Sequence, residues 1–171
     1  VDAAGLFGAP EAMGRMGAFQ DLCDSIGLGK RPILEGMSRG GLAIVEYAKA
    51  SPQRVCAVYG DNPVAHIASW PGGRSGKRSD GDWNRALAAW GLTGEEAMAW
   101  DGGPLHGLGA LASAGVPLYL VLGMADEVVP PGENGEVLAG RFREAGGTAQ
   151  VWRKPGLGHH PHGLSPVAPL L

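Results

Sequence analysis

The stretch Leu34-Glu35-Gly36-Met37-Ser38-Arg39-Gly40-Gly41 sets one serine among three glycines, between an apolar run and a run of helical character. Upstream, "RPILEGM" (31–37) reads as a short buried strand, and downstream "RGGLAIVEYAKA" (39–50) carries apolar residues at helical spacing. Gly36-Met37-Ser38-Arg39-Gly40 fits G-x-S-x-G in the strand-to-helix context on which that motif depends. A serine on so sharp a turn has a strained backbone. Bulky residues two positions to either side would collide with adjacent elements, and glycine at 36 and 40 avoids both clashes. The turn also aims the N-terminus of the following helix, with its unpaired N–H groups, at any negative charge that develops beside Ser38.

Working outward, the chain alternates. "RVCAVYG" (54–60), "VPLYLVLGM" (116–124) and "TAQVWRK" (148–154) are further strand signals, the second of them the strongest. Helices are predicted from Pro10 to Ile26, with apolar Met13, Met16, Phe19, Leu22 and Cys23, then in a short segment ending near "SAG", and over "NGEVLAGRFREAGG" (134–147). Strands separated by helices imply right-handed crossovers, hence an α/β fold with a mainly parallel sheet and flanking helices. The segment 62–103 differs: "SWPGGRSGKRSDGDW" is polar and turn-rich, and it leads into helical patterns containing Trp83, Leu87 and Trp90, then Met98 and Trp100. Thr93 and Glu96 have capping-box spacing. A helical, lid-like insertion at 62–103 within a single domain over 1–171 is the expectation.

A chain of 171 residues, 44% hydrophobic and 18% charged, is suited to one packed core rather than to disorder. Its net charge of −3 supplies no broad basic field, so neither nucleic acid nor an anionic membrane is expected as a partner. No apolar run approaches the roughly 20 residues a membrane helix needs, and no signal-peptide layout is present. Cys23 and Cys56 are expected as small buried hydrophobes and establish no disulfide framework. The sequence opens on Val1 rather than Met, which suggests a piece of a longer protein.

A serine hydroxyl becomes a useful nucleophile only when a base takes its proton and an acid orients that base. Both are sought after strands. Asp126 is the first acid after the strongest strand, in "GMADEVVPP", with Glu127 beside it and Asp61 after the second strand as alternatives. His159 follows the last strand in "KPGLGHH", with His160 and His162 as alternatives. The "HHPH" run has no adjacent carboxylate or cysteine and a proline breaks its spacing, so no metal is expected there.

The elbow "EGMSRGG", the acid turn "GMADEVVP" and the histidine loop "PGLGHHPHG", in that order, resemble the motifs of the α/β-hydrolase superfamily, esterase type. The resemblance implies a serine esterase with Ser38 as nucleophile, Asp126 as acid and His159 as base. It would act on a small-molecule ester, with a short acyl chain or an acylated carbohydrate, through an acyl-enzyme and without a cofactor; the alternatives are a peptidase of the same fold, or a non-catalytic fragment or scaffold that needs its missing strands or a partner chain. It further implies strands ahead of the elbow, and a loop that supplies one oxyanion donor, which this sequence starts too late to contain. The fold would then be reduced or truncated at the N-terminus, with a bare sheet edge at "RPILEGM" open to a homodimer. The ending "SPVAPLL" is shorter than the superfamily's closing helix.

One oxyanion donor remains, the backbone N–H of Arg39. An arginine directly after the nucleophile also resembles the elbow of glucuronoyl esterases, where that side chain helps to hold the oxyanion; the alternative is a surface arginine paired with Glu35 or Asp61. Trp70, Trp83, Trp90 and Trp100 offer aromatic faces for an acyl group or a sugar, Trp70 foremost because it precedes "PGG". Asp61 joins Trp70 as a candidate substrate contact.

Overall fold

The computed structural model describes residues 3–165, so most of the "SPVAPLL" ending lies outside the described residues. Strands β1 (Ile33–Met37), β2 (Ala57–Asp61), β3 (Leu118–Gly123) and β4 (Ala149–Lys154) form one sheet in the order β1-β2-β3-β4, every pair parallel. Around it stand α1 (Pro10–Ser25), α2 (Gly40–Ala50), α3 (Asp80–Trp90), α4 (Gly94–Ala99), α5 (Gly109–Ser113) and α6 (Gly135–Glu144). Strand order equal to chain order makes successive right-handed crossovers step the same way, so the crossover helices share one face of the sheet.

That face is the core. Val58, Leu118, Leu120 and Leu122 point into it from the strands and meet Ile44, Val45 and Ala48 of α2, Leu111 of α5, and Leu138 and Phe142 of α6. Each Val, Leu, Ile or Phe side chain so buried contributes about 1.5–3 kcal/mol of transfer free energy. The inner strands β2 and β3 are buried almost throughout, whereas β1 and β4 are half-exposed edges. Ile33 (64% exposed) and Met37 (52%) leave the β1 edge open, as the sequence suggests. The opposite face carries Tyr59, Tyr119 and Trp152, all half-buried, with the last two rings stacked 6.0 Å apart.

The 62–103 segment builds a second apolar cluster. Val64, Ile67, Trp83, Ala86 and Ala97 gather there with Phe7, Leu42 and Val129. The Thr93–Glu96 capping box is present, each residue accepting the other's backbone N–H.

Two local expectations change. In α1 the covered positions are Ala12, Met13, Met16 and Gln20, while Phe19 and Leu22 are exposed. Gln20 earns burial through polar partners: its amide donates to the carbonyls of Lys30 and Arg54, and its oxygen accepts from the Tyr47 hydroxyl. Cys56 is exposed just ahead of β2, and Cys23 is half-buried; both are free thiols. Among the described residues, no helix is long and apolar enough to cross a membrane.

Candidate active site

Ser38 follows the last residue of β1 and precedes α2, with φ at +50°. That left-handed conformation is costly for a residue with a side chain, and it persists only where the surroundings dictate it. Three hydrogen bonds do so: the Ser38 N–H donates to Asp61 O (2.9 Å), and the Ser38 carbonyl accepts from the N–H groups of Gly41 (3.0 Å) and Val64 (2.8 Å). Glycine makes the room, though not wholly where the motif suggests. A Cβ on Gly36 would meet the Gly40 carbonyl carbon and the Ile44 Cδ1 at 2.8 Å, and one on Gly41 would meet the Pro63 Cβ at 2.5 Å and the Val64 O at 2.7 Å. A Cβ on Gly40 would meet nothing within 4 Å.

The three residues singled out as nucleophile, base and acid come together from three separate strand ends. His159 Nε2 is 3.0 Å from Ser38 Oγ, and His159 Nδ1–H donates to Asp126 Oδ2 at 2.6 Å. The other Asp126 oxygen accepts from the N–H groups of Val128 and Val129, both at 2.8 Å. Burial pushes the Asp126 carboxyl upward, but the hydrogen bonds from His159, Val129 and Val128 outweigh it and hold its pKa below the ordinary value, so the carboxylate is anionic at neutral pH.

The alternatives take other positions. Glu127 points to solvent. Asp61, with a side chain 1% exposed, accepts from His162 Nδ1 (3.0 Å), from the Gly163 N–H and from the Tyr59 hydroxyl (3.4 Å). It therefore faces the histidine loop and does not line the cavity beside Ser38, which corrects its reading as a substrate contact. His160 is exposed and makes no hydrogen bond among the described residues.

Residues that the sequence reading passed over hold the loops in place. The Asn62 side chain accepts from Gly123 N–H (2.6 Å) and donates to His159 O (2.9 Å), tying the end of β3 to the histidine loop. Lys154 donates to Pro161 O (2.7 Å) and Gly163 O (3.2 Å), and Ala125 N–H donates to Leu157 O (2.9 Å). The signal was faint: an asparagine in "YGDNP", at the end of a strand and before a proline, where turn chemistry alone would explain it.

Ser38 opens onto a cavity of about 570 Å³ lined by Phe7, Met37, Arg39, Ile44, Trp70 and Asp82, among others. Arg39 pairs with neither Glu35 nor Asp61. Its guanidinium stands 3.3 Å from Asp82 and over the Phe7 ring, 5.4 Å from the centroid, on the cavity wall. Its backbone N–H donates to no backbone acceptor among the described residues. Of the tryptophans, Trp70 lines the cavity; Trp83 is buried, and Trp90 and Trp100 pack on each other (centroids 4.7 Å). Trp90 Nε1–H also donates to Phe7 O (2.9 Å). Those three support the second apolar cluster rather than the cavity.

No family model and no curated protein matches the sequence. Solved structures do. A puromycin-hydrolyzing peptidase of Mycobacterium tuberculosis superposes with TM-score 0.66 at 20% identity, over 84% of this chain and 21% of that one. The carboxylesterase Cest-2923 of Lactobacillus plantarum WCFS1 gives 0.64 at 17% identity, over 88% and 55%. An alpha/beta hydrolase enzyme from the metagenome of lagoon sediments at Mar Chica, Morocco, gives 0.51 at 21% identity, over 86% and 61%. The chain thus spans between about a fifth and three fifths of the length of these proteins. A parallel sheet with its crossover helices on one face, together with these likenesses, gives the chain an α/β-hydrolase-like fold.

Proposed function

We propose that the protein is a serine hydrolase that cleaves small carboxylic esters through an acyl-enzyme. The observation that carries this reading is the unbroken chain Ser38 Oγ–His159–Asp126, with hydrogen bonds of 3.0 and 2.6 Å, set on a left-handed turn that opens into a largely apolar cavity. Ser38 Oγ attacks the ester carbonyl while His159 Nε2 takes its proton. Asp126 stabilises the imidazolium, and the Arg39 N–H at the head of α2 donates to the oxyanion. Collapse expels the alcohol, which takes the proton back from His159. Water then attacks the acyl-serine by the same relay and releases the acid.

The cavity favours a short acyl chain or an acylated sugar. Met37, Ile44 and Phe7 give it apolar walls, Trp70 supplies a face for stacking, and Arg39 with Asp82 supplies polar contacts at one side. The likeness to a peptidase adds an amine, expelled from an amide, as the second leaving group worth testing, since the relay for the acyl half is the same.

Turnover of p-nitrophenyl acetate and butyrate, beside a p-nitroanilide, tests the reading. Ester hydrolysis that falls on the order of 10⁶-fold in kcat in Ser38→Ala is expected. Equal turnover by the wild type and Ser38→Ala would refute it, and faster anilide cleavage would favour the peptidase form.

A further inference from the structure

The histidine loop gathers three imidazoles beside Ser38. His159, His160 and His162 each place a ring nitrogen within 4.8 Å of the other two, and their rings stand edge-on with centroids 5.1, 5.1 and 4.7 Å apart. The sequence shows no carboxylate near "HHPH", but the fold brings two. The Nδ1–H of His159 donates to Asp126 at 2.6 Å and that of His162 to Asp61 at 3.0 Å, and each carboxylate side chain is 1% exposed. A carboxylate on Nδ1 fixes the tautomer, leaves the lone pair on Nε2 and raises its basicity, which is the arrangement found behind histidines that bind metals. The third ring, His160, is exposed and turns without breaking any hydrogen bond among the described residues.

We propose that this loop binds a divalent transition-metal ion of the zinc class through His159 Nε2, His162 Nε2 and one nitrogen of His160, and that ion binding and hydrolysis exclude each other. Imidazole suits Zn²⁺, Cu²⁺ and Ni²⁺, whereas Mg²⁺ and Ca²⁺ seek oxygen. Zn–N bonds of about 2.0–2.1 Å put the nitrogens of a tetrahedral site about 3.4 Å apart. From ligand atoms that lie within 4.8 Å of one another, rotation of the exposed His160 ring and a small inward shift of the His159 and His162 rings supply that contraction. The exclusion follows from one lone pair. His159 Nε2 donates it either to the ion or to the Ser38 proton, so the ion-bound protein has no base for its nucleophile. The ion then acts as a reversible inhibitor. The exclusion rests on the hydrolase reading above; the binding does not.

Calorimetric titration of Zn²⁺ into chelator-treated full chain reads the binding alone. Wild type and Ser38→Ala are expected to bind one equivalent. His160→Ala should bind at least about tenfold more weakly, and Asp61→Asn, which loosens His162, about 10–100-fold more weakly. His160→Gln, checked for fold by circular dichroism, serves if the alanine variant does not fold. The absence of one-equivalent binding in the wild type, or equal affinity in the wild type and both His160 variants, overturns the site. The rate of Ser38 labelling by a fluorophosphonate, with and without Zn²⁺, reads the exclusion: Zn²⁺ should slow it at least tenfold in wild type and leave it within twofold in His160→Ala. Labelling untouched by bound Zn²⁺ overturns the exclusion, whereas no labelling even without Zn²⁺ refutes the hydrolase reading and leaves calorimetry to decide the site.

Discussion

Ser38 keeps its left-handed backbone because its N–H and carbonyl are committed to Asp61, Gly41 and Val64, so the strain is paid for by the turn that surrounds it. Crowding falls at Gly36 and Gly41, and it gives a sharp contrast between neighbours. Gly41→Ala should lower stability by about 1–3 kcal/mol in denaturant melts, because its Cβ meets Pro63 and the Val64 carbonyl. Gly40→Ala meets nothing and should stay within about 0.5 kcal/mol of wild type. The spacing G-x-S-x-G made Ser38 and its elbow legible in the sequence. It did not reveal that the second crowded glycine is Gly41, because the obstruction comes from Pro63 and Val64, which reach the elbow only when β2 pairs with β1.

At the scale of elements, the ends of β2, β3 and β4 must stay in step for His159 to reach Ser38. Asn62, the residue after β2, joins all three, accepting from Gly123 N–H at the end of β3 and donating to His159 O in the loop after β4. Asn62→Ala should lower ester turnover about 10²-fold in kcat with KM nearly unchanged, since a shift of the base by about 1 Å costs that much while the cavity walls remain. A KM change without a kcat change would contradict a positioning role. The 62–103 segment holds a pH-sensitive pin of its own. His66 is buried, its Nε2–H donates to Trp100 O (2.7 Å) and its Nδ1 accepts from Ala68 N–H (3.1 Å). Burial, with Arg74 nearby, lowers its pKa below the ordinary 6.5. A histidine with a depressed folded-state pKa supports the fold above about pH 6.5, and that support drains as pH falls through the lower folded value. The melting temperature should therefore drop between pH 7 and 5 more steeply in wild type than in His66→Gln; parallel curves would contradict this. Strands, helices and the capping box were legible from periodicity and turn residues. Asn62 and His66 were not, because their work lies in partners tens of residues away.

Across the whole molecule, one face of the sheet is fully packed and the other carries half-buried Tyr59, Tyr119 and Trp152. Four strands and one packed face bring Ser38, His159 and Asp126 into hydrogen-bonding order, although the chain matches only part of the length of its structural neighbours. The order serine, acid, histidine was legible because each residue follows a strand at its C-terminal end, where loops from neighbouring parallel strands converge. The pairing of Asp61 with His162 was not, since nothing local links positions about a hundred residues apart. The central claim is that this arrangement makes Ser38 a reactive nucleophile in the chain as it stands. Intact-mass and peptide mapping after treatment with a fluorophosphonate reads that directly: one adduct per chain on Ser38, absent from Ser38→Ala and strongly slowed in His159→Ala, is the predicted result. A folded wild-type chain that takes up no adduct, or an adduct that persists in Ser38→Ala, would contradict it.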